Sequence, residues 1–156
     1  MPKPLVGVEI DSRFRDQVPE EWVRAIAETV LVQDGPRGPA ELGVLVTGDE
    51  AVRELNRLYR NTDSTTDVLS FALREGHGFV APPDGVTHLG DVIVSYPQAE
   101  RQAIEMGHET SQEVALLLVH GILHLLGHDH AEPDEERQMR ARETALLQSM
   151  PDSLAQ

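Results

Sequence analysis

The sequence predicts one α/β (α+β) layer domain, a four-stranded sheet covered by about five helices. Three observations carry that prediction. Short runs rich in Val, Ile and Leu recur at 5–10, 41–46, 67–73 and 89–95, the lengths and compositions of strands. Longer segments with helical spacing of apolar residues lie before, between and after them. No internal repeat or linker interrupts the 156 residues, a length that buries roughly two thirds of its unfolded surface in one core. The domain is expected to span 1–150, with PDSLAQ (151–156) as a frayed tail.

Taken in order, LVGVEI (5–10) alternates and reads as the first strand. Pro19 then opens EEWVRAIAETVLVQD, a helix with Trp22, Val23, Ile26 and Val30 turned inward and Gly35 closing it. ELGVLV (41–46) is the second strand. Thr47-Gly48-Asp49 starts a helix, EAVRELNRLYRN, with Val52, Leu55 and Tyr59 on its expected buried side. DVLSFAL (67–73) is the third strand, and REGHGFVAPPDGVT (74–87) has the Gly and Pro density of a surface loop. LGDVIVS (89–95) is the fourth strand, followed by a helix opened by Pro97 and ended by Gly107. A long apolar helix runs from Glu109 to Leu126, with Thr110 as the expected cap and Glu113 three residues on. Pro133 starts a last, charged amphipathic helix to about Met150.

Composition narrows the chemistry. There are no cysteines, which removes disulfides, thiolate metal sites and thiol nucleophiles and fits a reducing cytoplasm. The N-terminus lacks a basic segment followed by an apolar one, so no secretory signal is expected. VALLLVHGILHLL (114–126) is too short to span a bilayer and carries two histidines, so it reads as a buried core helix. The net charge of −14 argues against bulk electrostatic affinity for DNA or RNA, so any nucleic-acid role needs a local basic patch.

That apolar helix ends in HGILHLLGHDH (120–130), which holds four of the seven histidines. His120 and His124 stand one turn apart and project from one helix face. Gly127 is placed to stop the helix, so that the chain swings His130 back toward the pair. Three imidazoles without a fourth protein ligand describe a catalytic Zn²⁺ site with an open position for water or substrate, though imidazole also suits Ni, Cu and Fe. His128 lies off the ligand face and reads as a partly exposed loop residue. Asp129 is placed either to orient an imidazole or to cap the turn. The spacing is zincin-like, that of the extended zinc-protease pattern H-E-x-x-H-x-x-G-x-x-H, with Gly121 in place of the general-base glutamate. Peptide hydrolysis by that route is therefore disfavoured. Phosphoryl transfer, which relies heavily on electrostatic stabilisation, has less need of a carboxylate there.

HGILHLLGHDH resembles the signature of the YbeY endoribonucleases, bacterial proteins of ribosomal RNA maturation and ribosome quality control. LNRLYRNTDSTTDVLSF (55–71) is similar to that family's Y-R-x-x-D-x-P-T-[DN]-V-L-S-F stretch, and LGDVIVS (89–95) to its G-D-[IV]-x-[IV]-S strand. Three positions depart from it: Thr65 and Ala72 stand where the family has proline, and His128 where it often has tyrosine. The resemblance implies a mixed sheet, zinc held by His120, His124 and His130, and a functional arginine at Arg60. Arg60 also ends a stripe with Arg53 and Arg57 at helical spacing, the densest basic feature of the chain. The bland expectation for Arg53 and Arg57 is a solvated face partnering acids such as Glu54. Asp67, Ser70 and Asp91 are polar positions in otherwise apolar strands, with no role assigned.

The function expected from these features is a cytoplasmic zinc-dependent endoribonuclease acting on single-stranded ribosomal RNA, with no role on DNA or at membranes. Ribosomal or ribosome-assembly proteins are the expected protein partners. Two alternatives stand beside it. One is a zinc peptidase or other small-molecule hydrolase using an unusual base. The other is a non-catalytic assembly factor, stabilised by its metal and working through protein partners, which the negative charge suits.

Overall fold

The computed structural model describes residues 4–36, 38–72, 85–128 and 132–150. The loop expected at 74–87 falls mostly outside these, as do Asp129, His130 and the 151–156 tail.

The strands are β1 (Leu5–Ile10), β2 (Ala40–Thr47), β3 (Val68–Ala72) and β4 (Thr87–Ser95). The helices are α1 (Glu20–Asp34), α2 (Asp49–Arg60), α3 (Tyr96–Met106), α4 (Thr110–Leu125) and α5 (Pro133–Gln148), with a short 3₁₀ turn at Ser12–Phe14. The sheet is mixed, in the order β1-β2-β4-β3. β1, β2 and β4 run parallel, and β3 pairs antiparallel with β4 along the edge.

Alternation along each strand divides the sheet into two faces. Leu42, Val44 and Val46 of β2, with Val92 and Val94 of β4, enter the main core beneath α1 and α4. Leu69 and Ile93 point the other way, where among the described residues they form a small cluster with Val52 and Leu55 of α2 and with Leu45 and Phe71 of the sheet. Among the described residues the α2 face is therefore the more thinly covered one. Helix α4 is the hub of the thick face, buried on most of its circumference from Val114 to Leu125, as its unbroken apolar run foretold.

Two local expectations needed adjustment. The cap of α4 is Glu109 with Gln112, a reciprocal capping box one residue earlier than Thr110 with Glu113. Glu113 is instead buried and accepts hydrogen bonds from Gln102 and the His108 ring, which spend its carboxylate on the α3–α4 junction. Tyr59 is not on the buried side of α2. It is 67% exposed, whereas Asn56 is buried and donates to the Ser64 carbonyl. A polar side chain thus takes the inward position because it ties down the loop after the helix.

Candidate metal and phosphate site

The histidine helix sits tight on the sheet because of Gly121. A Cβ there would lie 2.7 Å from Val92 Cγ1, 3.1 Å from Val68 Cγ2 and 3.2 Å from Ser70 Oγ. Ser70 Oγ also donates to the Gly121 carbonyl at 3.0 Å, pinning β3 to this turn of α4. The place where zinc proteases carry a glutamate therefore faces the sheet and has no room for one.

His120 and His124 lie on one side of that turn, their ring centroids 6.4 Å apart. His120 is half-buried and His124 exposed. Gly127 follows with φ +102°, a left-handed conformation open to glycine, and its N–H donates to the His124 carbonyl. The helix stop is where the sequence placed it. His128, half-buried, sends its N–H to the Leu123 carbonyl.

The back of His120 is held from a distant element. Its Nδ1 is 2.7 Å from Glu143 Oε1 on α5. The hydrogen bond that the ring donates to this carboxylate pushes the His120 pKa up, against an opposing effect of burial, and the charges of Glu143 and Asp67 add to the rise. Nothing in the sequence pattern marked Glu143. It lies 23 residues beyond its partner, in a helix dense with acids, and only the packing of α5 on α4 joins the two. Among the described residues no group of three or more metal-ligating side chains converges, and His130 is not among those residues. The two described imidazoles are of a type that suits a divalent ion: they share one helix face, and His120 makes its carboxylate contact through Nδ1.

Arg60 reaches this region from the other side of β3. α2 ends at Asn61, which is left-handed at φ 55°, and the N–H groups of Asn61 and Thr62 both close on the Asn56 carbonyl. The turn carries the Arg60 guanidinium across the edge strand, where it donates to the Ser70 carbonyl at 2.5 Å and lies 5.3 Å over the Phe71 ring. Ser70 therefore touches Arg60 through its backbone and the histidine turn through its hydroxyl. The other arginines of the stripe behave as a solvated face, Arg53 pairing with Asp63 and Arg57 with Glu54.

The loop from Asn61 to Asp67 is tied at its base. Asp49 Oδ1 accepts from Thr65 Oγ1 at 3.1 Å and Ser95 Oγ at 2.9 Å, and both its oxygens accept from Arg101. Burial pushes the Asp49 pKa up, but the bonds from Ser95, Arg101 and Thr65 outweigh it and leave it lowered. Thr65, which departs from the resembled pattern, makes one of those bonds. Asp67 accepts from the Val68 N–H at the start of β3, a structural use of its carboxylate.

Asp91 belongs to the opposite face of the sheet. There a groove of about 770 Å³ runs over Gly7 and Gly43 between Leu55, Tyr59 and Phe71, with Glu9 and Asp91 as its charged groups. The groove is apolar and acidic, and the strands separate it from the histidines.

The comparisons agree with this architecture. The chain matches the family model described as Endoribonuclease YbeY over residues 9–151. It is 46% identical over 145 residues to an Endoribonuclease YbeY of Roseiflexus castenholzii, covering 92% of this chain and 91% of that one. It is 40% identical over 157 residues to an Endoribonuclease YbeY of Dehalococcoides mccartyi, covering 96% and 98%. The solution structure of TM1509 from Thermotoga maritima shares the fold, with a TM-score of 0.62 at 23% identity over 92% of this chain and 87% of that one. The family match over residues 9–151 and the relatives at 40–46% identity place this chain in the Endoribonuclease YbeY family.

Proposed function

We propose that the chain is a zinc-dependent endoribonuclease that cuts single-stranded ribosomal RNA during its maturation and in ribosome quality control. The observation that carries this reading is Ser70, which joins the Arg60 guanidinium to the α4 turn bearing His120. A phosphate-binding cation and a pair of metal-ligating imidazoles are thereby coupled through one residue. His120 and His124 would hold the ion, with His130 as third ligand. Bound there, zinc supplies a Lewis acid for a phosphoryl oxygen. Arg60 presents a planar fork suited to phosphate oxygens and stabilises the charge that builds on them. With Gly121 packed on the sheet, α4 offers no carboxylate in the protease position, which favours phosphoryl chemistry over peptide hydrolysis.

The test is cleavage of a labelled unstructured RNA alongside metal analysis of the same preparations. His124→Ala is expected to lose both zinc and cleavage. Arg60→Ala is expected to keep zinc and lose cleavage by roughly 10²–10³-fold, the scale for one charge-stabilising group. Cleavage undiminished in both variants would overturn the reading.

One observation favours a protein partner as well. The groove on the thin face combines apolar walls with Glu9 and Asp91, a surface suited to a basic segment of a ribosomal or assembly protein. Asp91→Arg should abolish such binding while leaving cleavage of free RNA intact.

A further inference from the structure

We propose that Glu143 is a positioning residue of the metal centre, fixing the tautomer and orientation of His120 from α5. The inference rests on the metal reading above and adds to it a residue outside the histidine run. Neutral imidazole carries one N–H, and the nitrogen that holds it is set by the partner of that nitrogen. Glu143 Oε1 lies 2.7 Å from Nδ1 and, as a carboxylate, can only accept. The proton is thereby held on Nδ1, and Nε2 keeps its lone pair for the ion. The same bond restrains rotation of the ring, so His120 does not have to be ordered when metal arrives.

The carboxylate is itself held in register. Met139 and Leu146, four residues before and three after Glu143, share its side of α5 and are 1% and 0% exposed in the core. Next to it, Arg142 makes a two-bond ion pair with Asp34 of α1 at 2.6 and 2.8 Å. These contacts stop α5 from sliding or turning, and the Glu143 side chain is left 13% exposed. The site thus has a glutamate after all. It stands behind a ligand instead of beside the open position, so it orients an imidazole and does not serve as the missing protease base.

Zinc affinity of the full-length chain, measured by competition with a chromophoric chelator, tests this, together with the His120 tautomer from long-range ¹H–¹⁵N NMR of the metal-free protein. Glu143→Ala is expected to weaken zinc binding roughly 10- to 100-fold. Glu143→Gln, whose amide oxygen can still accept from Nδ1–H, should recover most of that loss. Val52→Ala, a core truncation on the opposite face of the sheet, should lower the melting temperature while keeping zinc affinity within about twofold, the behaviour of a merely structural contact. The wild-type His120 ring should carry its proton on Nδ1. Zinc held as tightly by Glu143→Ala as by wild type, or an Nε2–H tautomer in wild type, would overturn the inference alone. A wild type that binds no zinc overturns it together with the metal reading, and a zinc-loaded wild type that leaves RNA uncut removes only the nuclease.

Discussion

A Cβ at position 121 must displace Val92, Val68 or Ser70, all on strands held by their own hydrogen bonds. Overpacking of this kind typically costs about 1–3 kcal/mol, and the better helix propensity of alanine returns about 1 kcal/mol. Gly121→Ala should therefore lose on the order of 1 kcal/mol net, read as a lower urea midpoint at unchanged slope. A midpoint that stays put or rises would mean that α4 does not press on the sheet as described. Gly121→Glu, which writes the protease pattern back into the sequence, should yield a poorly folded protein with no peptidase activity. The missing glutamate was legible in the sequence as a chemical absence. Its cause was not, because sequence spacing says which residues share a helix face but not which neighbour lies against it. The same limit hid Glu143, whose contact with His120 exists only once two helices have packed.

Among elements, the pieces were more legible than their edges and their order. Strand alternation and helical spacing located all four strands and five helices, since burial of one face imposes those periods. The sheet order β1-β2-β4-β3 was not readable, because no local signal reports which strand lies beside which. Nor was the inward Asn56, a polar residue chosen for a hydrogen bond to the loop that follows. That loop bears on Arg60, and Asp49 is its anchor. Asp49→Ala removes a partly buried carboxylate that receives three side chains and should cost about 2 kcal/mol, the scale of hydrogen bonds to a charged group. It should also slow RNA cleavage while zinc content stays at the wild-type level, separating loop order from metal binding. The pH dependence follows from the lowered pKa. The folded state binds the Asp49 proton more weakly than the unfolded chain does. This contribution is therefore whole above the ordinary carboxylate range and is lost as pH falls through the folded value. Acid unfolding of Asp49→Asn should accordingly be shallower than that of wild type in that range. Parallel acid curves would remove Asp49 from the argument.

For the whole molecule, the charge balance decides how RNA can be held. At −14 the chain repels a polyanion at long range, and two of the three arginines on the α2 stripe are already paired with Asp63 and Glu54. The contacts of the Arg60 guanidinium among the described residues are a backbone carbonyl and an aromatic ring, neither of which cancels its charge. On the proposed reading, recognition falls to one guanidinium, the metal and short-range contacts, with no larger basic cluster among the described residues to gather RNA from solution. This has a quantitative consequence. Single-strand binding loses about 0.7 in log affinity per decade of salt for each phosphate neutralised. A protein engaging one or two phosphates should give a slope of about −0.7 to −1.4, and Arg60→Ala should flatten it by about 0.7. Measured by anisotropy with a short labelled RNA in the zinc-loaded protein, a slope steeper than about −3 would require several more cations at the interface than this arrangement offers. A shallow slope would also bear on partners. If RNA is held that weakly, the acidic groove on the other face suits delivery to the substrate by a basic protein. Adding such a partner should then raise RNA affinity without changing the contribution of Arg60 to the slope.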